Sequence, residues 1–143
     1  MQNRLVRMVA VAGTALVAAV VSGCGGSAQT MPRKPAHLTL GSNTRTTSPP
    51  ACTQDQQYRT IDIRDGGGRV QAVVLLVGEG AQPQWVKFHN VDGFNGSFWA
   101  GGVGAARVDL VHSTYTIAGS AYGINNSSPD KVVTTNFKIT ADC

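Results

Sequence analysis

Apolar and polar positions divide this chain into three regimes. Residues 8–21, MVAVAGTALVAAVV, form an uncharged and mostly apolar run. Residues 25–51 show no apolar period. From Cys52 onward apolar residues return with a period of two, the mark of strands with one buried face.

The third regime reads as strands and turns. Ile61 and Ile63 alternate with Asp62 and Arg64, and Asp65-Gly66-Gly67-Gly68 follows as a turn. Residues 70–77, VQAVVLLV, are nearly continuous in apolar character, as expected of a central strand buried on both faces. Residues 85–89 predict the next strand. Asp92-Gly93 and Asn95-Gly96 predict turns. Residues 107–111, RVDLV, alternate again. Tyr115, Ile117, Gly119 and Ala121 share one face of a further strand, and residues 125–130, NNSSPD, read as a loop. In the final strand Val133, Thr135, Phe137, Ile139 and Ala141 share one face. The expectation is an all-β domain over residues 52–143, a small antiparallel β-sandwich or partly closed barrel of about seven strands. Its strand order is not legible.

The first regime is no strand. Arg4 and Arg7 precede the apolar run without any acid, and Val21-Ser22-Gly23-Cys24 closes it. The run is too short to cross roughly 30 Å of hydrocarbon, which takes about 20 residues. A positive start, a short apolar middle and small residues before a cut site define a signal peptide over residues 1–23. Its small-small-Cys ending is a bacterial lipobox. Cys24 is therefore the expected lipidation site and new N-terminus, with the membrane as partner through its acyl chains. Two or more chains are needed for stable anchoring. The expected location is the extracytoplasmic face of the cell membrane, within the envelope.

Residues 24–51 read as the lipidated cysteine and a flexible tether rich in Gly, Ser, Thr and Pro, a composition that buries too little to offset chain entropy. Arg33, Lys34 and Arg45 keep this stretch soluble, with attraction to anionic head groups as the alternative. Ser and Thr beside Pro also invite O-glycosylation.

Charge and cysteine count refine the picture. The formal net charge is +4, but removal of Arg4 and Arg7 with the signal lowers it to +2. The remaining basic residues are scattered, which excludes a nucleic-acid stripe. The chain has three cysteines. Lipidation uses Cys24 and leaves Cys52 and Cys143, which bracket the β domain. A disulfide between them closes the domain from end to end and requires Cα atoms about 4.4 to 6.8 Å apart. An oxidising compartment permits it.

Candidate chemistry is thin. His37 lies in the tether, and His89 and His112 with Asp92 and Asp109 follow no catalytic or metal-binding spacing. Gly101-Gly102-Val103-Gly104 lies between strands, where a dinucleotide fingerprint needs a helix to follow. Asn95-Gly96-Ser97 and Asn126-Ser127-Ser128 match a glycosylation sequon but read as turns. The expectation is no enzyme, no metal and no cofactor. Trp85, Phe88, Phe94, Phe98 and Trp99 cluster within fifteen residues. They are either core or an aromatic patch for a partner, glycan or acyl chain.

The layout resembles the mycobacterial nineteen-kilodalton lipoprotein antigen family (LpqH-like). The resemblance rests on the lipobox Cys24, the polar linker, Cys52 opening the domain, and Asn90-Val91-Asp92-Gly93. It is extended by residues 115–123, YTIAGSAYG, and by the close, residues 137–143, FKITADC. It implies a cell-envelope surface antigen, recognised by a host pattern-recognition receptor chiefly through its acylated, palmitate-bearing end, with a β-rich domain whose ligand is unknown. Two readings of function follow. One is display of the β domain for binding or structural interaction; the alternative is carriage of a lipid or other apolar ligand inside it.

Overall fold

The computed structural model describes residues 33–143. The signal peptide, the lipobox and Cys24 lie outside the described residues. The described chain forms ten strands: β1 (His37–Leu40), β2 (Asn43–Thr46), β3 (Ala51–Asp55), β4 (Tyr58–Asp65), β5 (Gly68–Val77), β6 (Gly80–Val91), β7 (Phe94–Trp99), β8 (Ala105–Val111), β9 (Thr114–Asn125) and β10 (Ser128–Asp142).

Alternation explains most of them. On β4, Ile61 and Ile63 are buried while Arg64 is exposed. On β9, Tyr115, Ile117 and Ala121 point inward, and on β10 Phe137, Ile139 and Ala141 do the same. The β4–β5 hairpin turns at Gly66 and Gly67, with φ of 51° and 87°. Two successive positive φ values suit the right-handed twist of a tight hairpin, and glycine takes them without steric cost.

The strands make one antiparallel sheet in the order β2-β1-β10-β9-β7-β6-β5-β4-β3, with β8 paired to β9 beside β7. The sheet curls on itself without closing. Phe88 of β6 and Phe137 of β10 lie 5.2 Å apart between ring centroids, although β7 and β9 separate their strands in the sheet. The concave side is filled by Leu38, Ile63, Val74, Phe88, Phe94, Ile117, Phe137 and their neighbours. Arg45 on β2 closes one end of the curl. Its guanidinium donates to Asp92 Oδ1 at 2.6 Å and lies 2.8 Å from Asp65 Oδ2.

Five expectations need correction. The ordered domain does not begin at Cys52, and residues 36–51 are not plain tether. β1 and β2 lie there, with Ala36, Leu38 and Leu40 buried in the core. Four residues of HLTL give too short an alternation to stand out, and NTRT of β2 has no apolar residue at all. Strands number ten rather than about seven for the same reason, since β1, β2 and β3 are all short. Asn95-Gly96 is no turn but the interior of β7, and the loop predicted at 125–130 shrinks to a turn at Asn126 and Ser127. The residues that follow join β10 through a register irregularity between Ser128 and Val132. Finally, β5 alternates. Val70, Ala72 and Val74 enter the core, and only at Val73 is the opposite face buried as well; Leu75 is half-buried and Val77 is exposed.

Candidate functional site

The aromatic segment divides in two. β6 and β7 pair antiparallel, with Trp85 opposite Trp99, Val86 opposite Phe98 and Lys87 opposite Ser97. Side chains along a strand alternate between faces, so residues 85 and 88 cannot share one. Phe88, Phe94 and Phe98 are buried and belong to the core. Trp85 is half-buried and Trp99 is 42% exposed, both on the outer face. The five residues are therefore not one patch; three are core and two are surface.

On that outer face the two indoles stack, with ring centroids 5.8 Å apart and planes inclined by 28°. Lys87 sets its Nζ 5.0 Å from each centroid. A cation over two ring faces is drawn to their negative quadrupoles, which holds the long lysine side chain in one place. Val73 on β5 stands opposite Trp85 and is buried although it lies outside the core cluster. The indole pair thus rests on a small apolar footing of its own.

The other candidate residues are spread over the fold. Cys52 on β3 and Cys143 after β10 form a disulfide with Cα atoms 5.8 Å apart, within the range demanded of the pair. Their strands are not hydrogen-bonded neighbours. The bond spans the curl and joins one end of the strand order to the C-terminus. His37 sits on β1 within 3.3 Å of Thr46 Oγ1, His89 is exposed on β6, and His112 occupies the β8–β9 turn with φ of 56°. Asp92 is engaged by Arg45, and Asp109 lies on β8. Among the described residues no three His, Cys, Asp or Glu side chains converge to hold a metal.

Three carboxylates are held below their usual range. Arg69 donates hydrogen bonds to Asp62, Arg45 does so to Asp92, and the Thr114 hydroxyl and Lys34 do so to Asp142. Each donor favours the charged form. These are pairs that fasten strands together: Asp62 and Arg69 bridge β4 and β5, and Asp142 ties the end of β10 to Thr114 at the start of β9.

Sequence reasoning missed the continuation of the outer face. Tyr122 and Ile124 lie on β9 in the phase opposite to Ile117 and Ala121, and both are exposed. An apolar residue in the wet phase of a strand was the available signal. It applies equally to Trp85 beside Val86 and to Trp99 beside Phe98.

Residues 29–143 match the family described as the Mycobacterium 19 kDa lipoprotein antigen. The chain belongs to that family. A relative from Mycobacterium tuberculosis, named as the probable lipoprotein LppE, is 59% identical over 138 residues, which cover 96% of this chain and 98% of the relative. A putative lipoprotein of Mycobacterium indicus pranii is 33% identical over the full length of both chains. A putative lipoprotein of Mycobacterium avium subsp. hominissuis is 32% identical, covering 100% of this chain and 97% of the relative. Membership of the 19 kDa antigen family makes the chain a mycobacterial lipoprotein. The names of these relatives are those of lipoproteins rather than of enzymes.

Proposed function

We propose that this protein is a lipid-anchored envelope lipoprotein whose β domain works through its outer surface. Cys24 carries the acyl chains, the anchor holds the domain on the extracytoplasmic face of the membrane, and the acylated end is what a host pattern-recognition receptor engages. The contact surface of the domain is the outer face around Trp85, Lys87 and Trp99. The observation that carries the reading is the division of the aromatic segment. Three phenylalanines fill the core, while two tryptophans stand outside it on their own footing with a lysine placed between them. Exposing an indole forgoes the stability its burial would contribute, on the order of 2 to 3 kcal/mol, so its placement outside favours a contact.

Carriage of an apolar ligand has less support. Side chains of β1, β4, β5, β6, β7, β9 and β10 fill the concave side of the sheet. The wide depression over Ala105, Ala118 and Ser120 opens to solvent. A carrier needs an apolar hollow large enough for its cargo.

The test of the anchor is Cys24→Ala. The natural protein is expected in the detergent phase on phase separation, with an N-terminal peptide heavier by its acyl chains. The variant is expected in the aqueous phase or as unprocessed precursor. Equal partitioning and equal N-terminal mass would refute the reading.

A further inference from the structure

Apolar side chains on the outer face do not stop at the indoles. Tyr122 on β9 stands opposite Ser97 of β7, one step diagonal from Trp99, and Ile124 stands opposite Val132 of β10. Tyr122 is 46%, Ile124 38% and Val132 76% exposed. Together with Trp85 and Trp99 they draw a diagonal stripe across β6, β7, β9 and β10. A contiguous exposed apolar stripe marks an interaction surface.

Three observations indicate what covers it. The first is its chemistry. Indole and phenol rings with polar tips favour the head-group level of a bilayer, and bare aliphatic side chains such as Ile124 and Val132 favour the hydrocarbon just below. A sugar would use the rings and gain little from the aliphatics. The second is charge. Lys87 is held over both indoles and has no ion-pair partner among the described residues, so it offers a positioned cation to an anionic head group. The third is reach. Ala36, already buried in the core, lies twelve residues after Cys24. Twelve residues span at most about 43 Å when fully extended. The chain enters the domain where His37 pairs with Thr140, and Val132 lies eight residues back along β10, about 26 Å at the rise of a strand. The connection is long enough for the stripe to reach the bilayer that holds the anchor, and too short to carry the domain far from it.

We propose that this stripe is the face on which the domain lies against the head-group region of its own membrane. The inference rests on the reading of Cys24 as the lipid anchor. An anchored domain needs little affinity for such docking, because the tether already supplies a high effective concentration.

Trp85 and Trp99 are the chain's two tryptophans, so indole emission reports on the stripe alone. The test uses the mature protein from its own host in vesicles of phosphatidylcholine and phosphatidylglycerol. Acyl-brominated phosphatidylcholine quenches from the lipid side and iodide from the water side. The expected result is loss of most of the emission to brominated lipid, little loss to iodide, and a blue shift relative to detergent-free solution. In Lys87→Glu with Val132→Ser the preference should reverse while the protein still floats with the vesicles. A natural protein that floats but is quenched by iodide and spared by brominated lipid overturns the docking and leaves the anchor standing. Protection from both quenchers also overturns it, because a second protein copy then covers the stripe. A protein that does not float, with an unmodified N-terminal peptide, overturns anchor and docking together.

Discussion

Asp62, Asp92 and Asp142 each hold a charged or hydroxyl donor from a different part of the chain, and each has its carboxyl pulled below the usual range. The unfolded chain restores them to about 3.9. A depressed folded-state value means that the unfolded state binds more protons as pH falls. The stability these groups add is therefore present above about pH 4 and lost as pH drops through the folded values. The urea midpoint is expected to stay level from pH 7 to 5 and to fall below about pH 4. Asp62→Asn should flatten part of that fall, because Arg69 then has no carboxylate to lose. A midpoint unchanged between pH 5 and 3 would refute the assignment. Close packing of backbones acts at the same scale. A Cβ on Gly119 would meet the Ala105 carbonyl oxygen at 1.9 Å, so only glycine lets β8 approach β9 there.

At the scale of elements, β1 is the piece that a reading of alternation placed outside the domain. It pairs with β10 from His37–Thr140 to Leu40–Phe137 and buries Leu38 and Leu40. Burying two leucines contributes about 3 to 6 kcal/mol, against a total of about 5 to 15 for a typical domain. A chain starting at Arg33 is expected to melt in one cooperative transition. A chain starting at Cys52 loses β1, β2 and Arg45, leaves one edge of β10 unpaired, and should show no cooperative melt. Equal melting temperatures would mean that β1 adds nothing. The domain boundary would then return to Cys52.

At the scale of the molecule, the Cys52–Cys143 bond joins β3, at one end of the strand order, to the chain end after β10. It acts across the curl, where no backbone ladder does. It closes a loop of 91 residues, for which the chain-entropy account gives about 4 to 5 kcal/mol. Cys143→Ser is expected to cost about 2 to 5 kcal/mol by urea denaturation. Reduction should lower the melting temperature of the natural protein and hardly move that of the variant. A natural protein whose melting temperature ignores reductant would show that the curl is held by packing and by Arg45 alone.

Alternation alone determined the strands that bury a full face. Ile61 and Ile63 mark β4, and Phe137, Ile139 and Ala141 mark β10, because a period of two with large apolar residues has no other economical burial. It also determined that Trp85 and Phe88 face opposite ways. The pairing of Cys52 with Cys143 followed from their places at the borders of that pattern. The tertiary structure decided the rest. β2 has no apolar residue, and it is a strand only because β1 offers its backbone a hydrogen-bonding partner and because Arg45 finds two carboxylates distant in the chain, Asp65 at the end of β4 and Asp92 in the β6–β7 turn. Strand order depends on contacts between residues far apart in the chain, which local periodicity does not encode. Which indole face meets water was decided the same way. Parity separates the two faces of β6, but only the arrival of Phe137 from β10 against Phe88 makes one of them the inside.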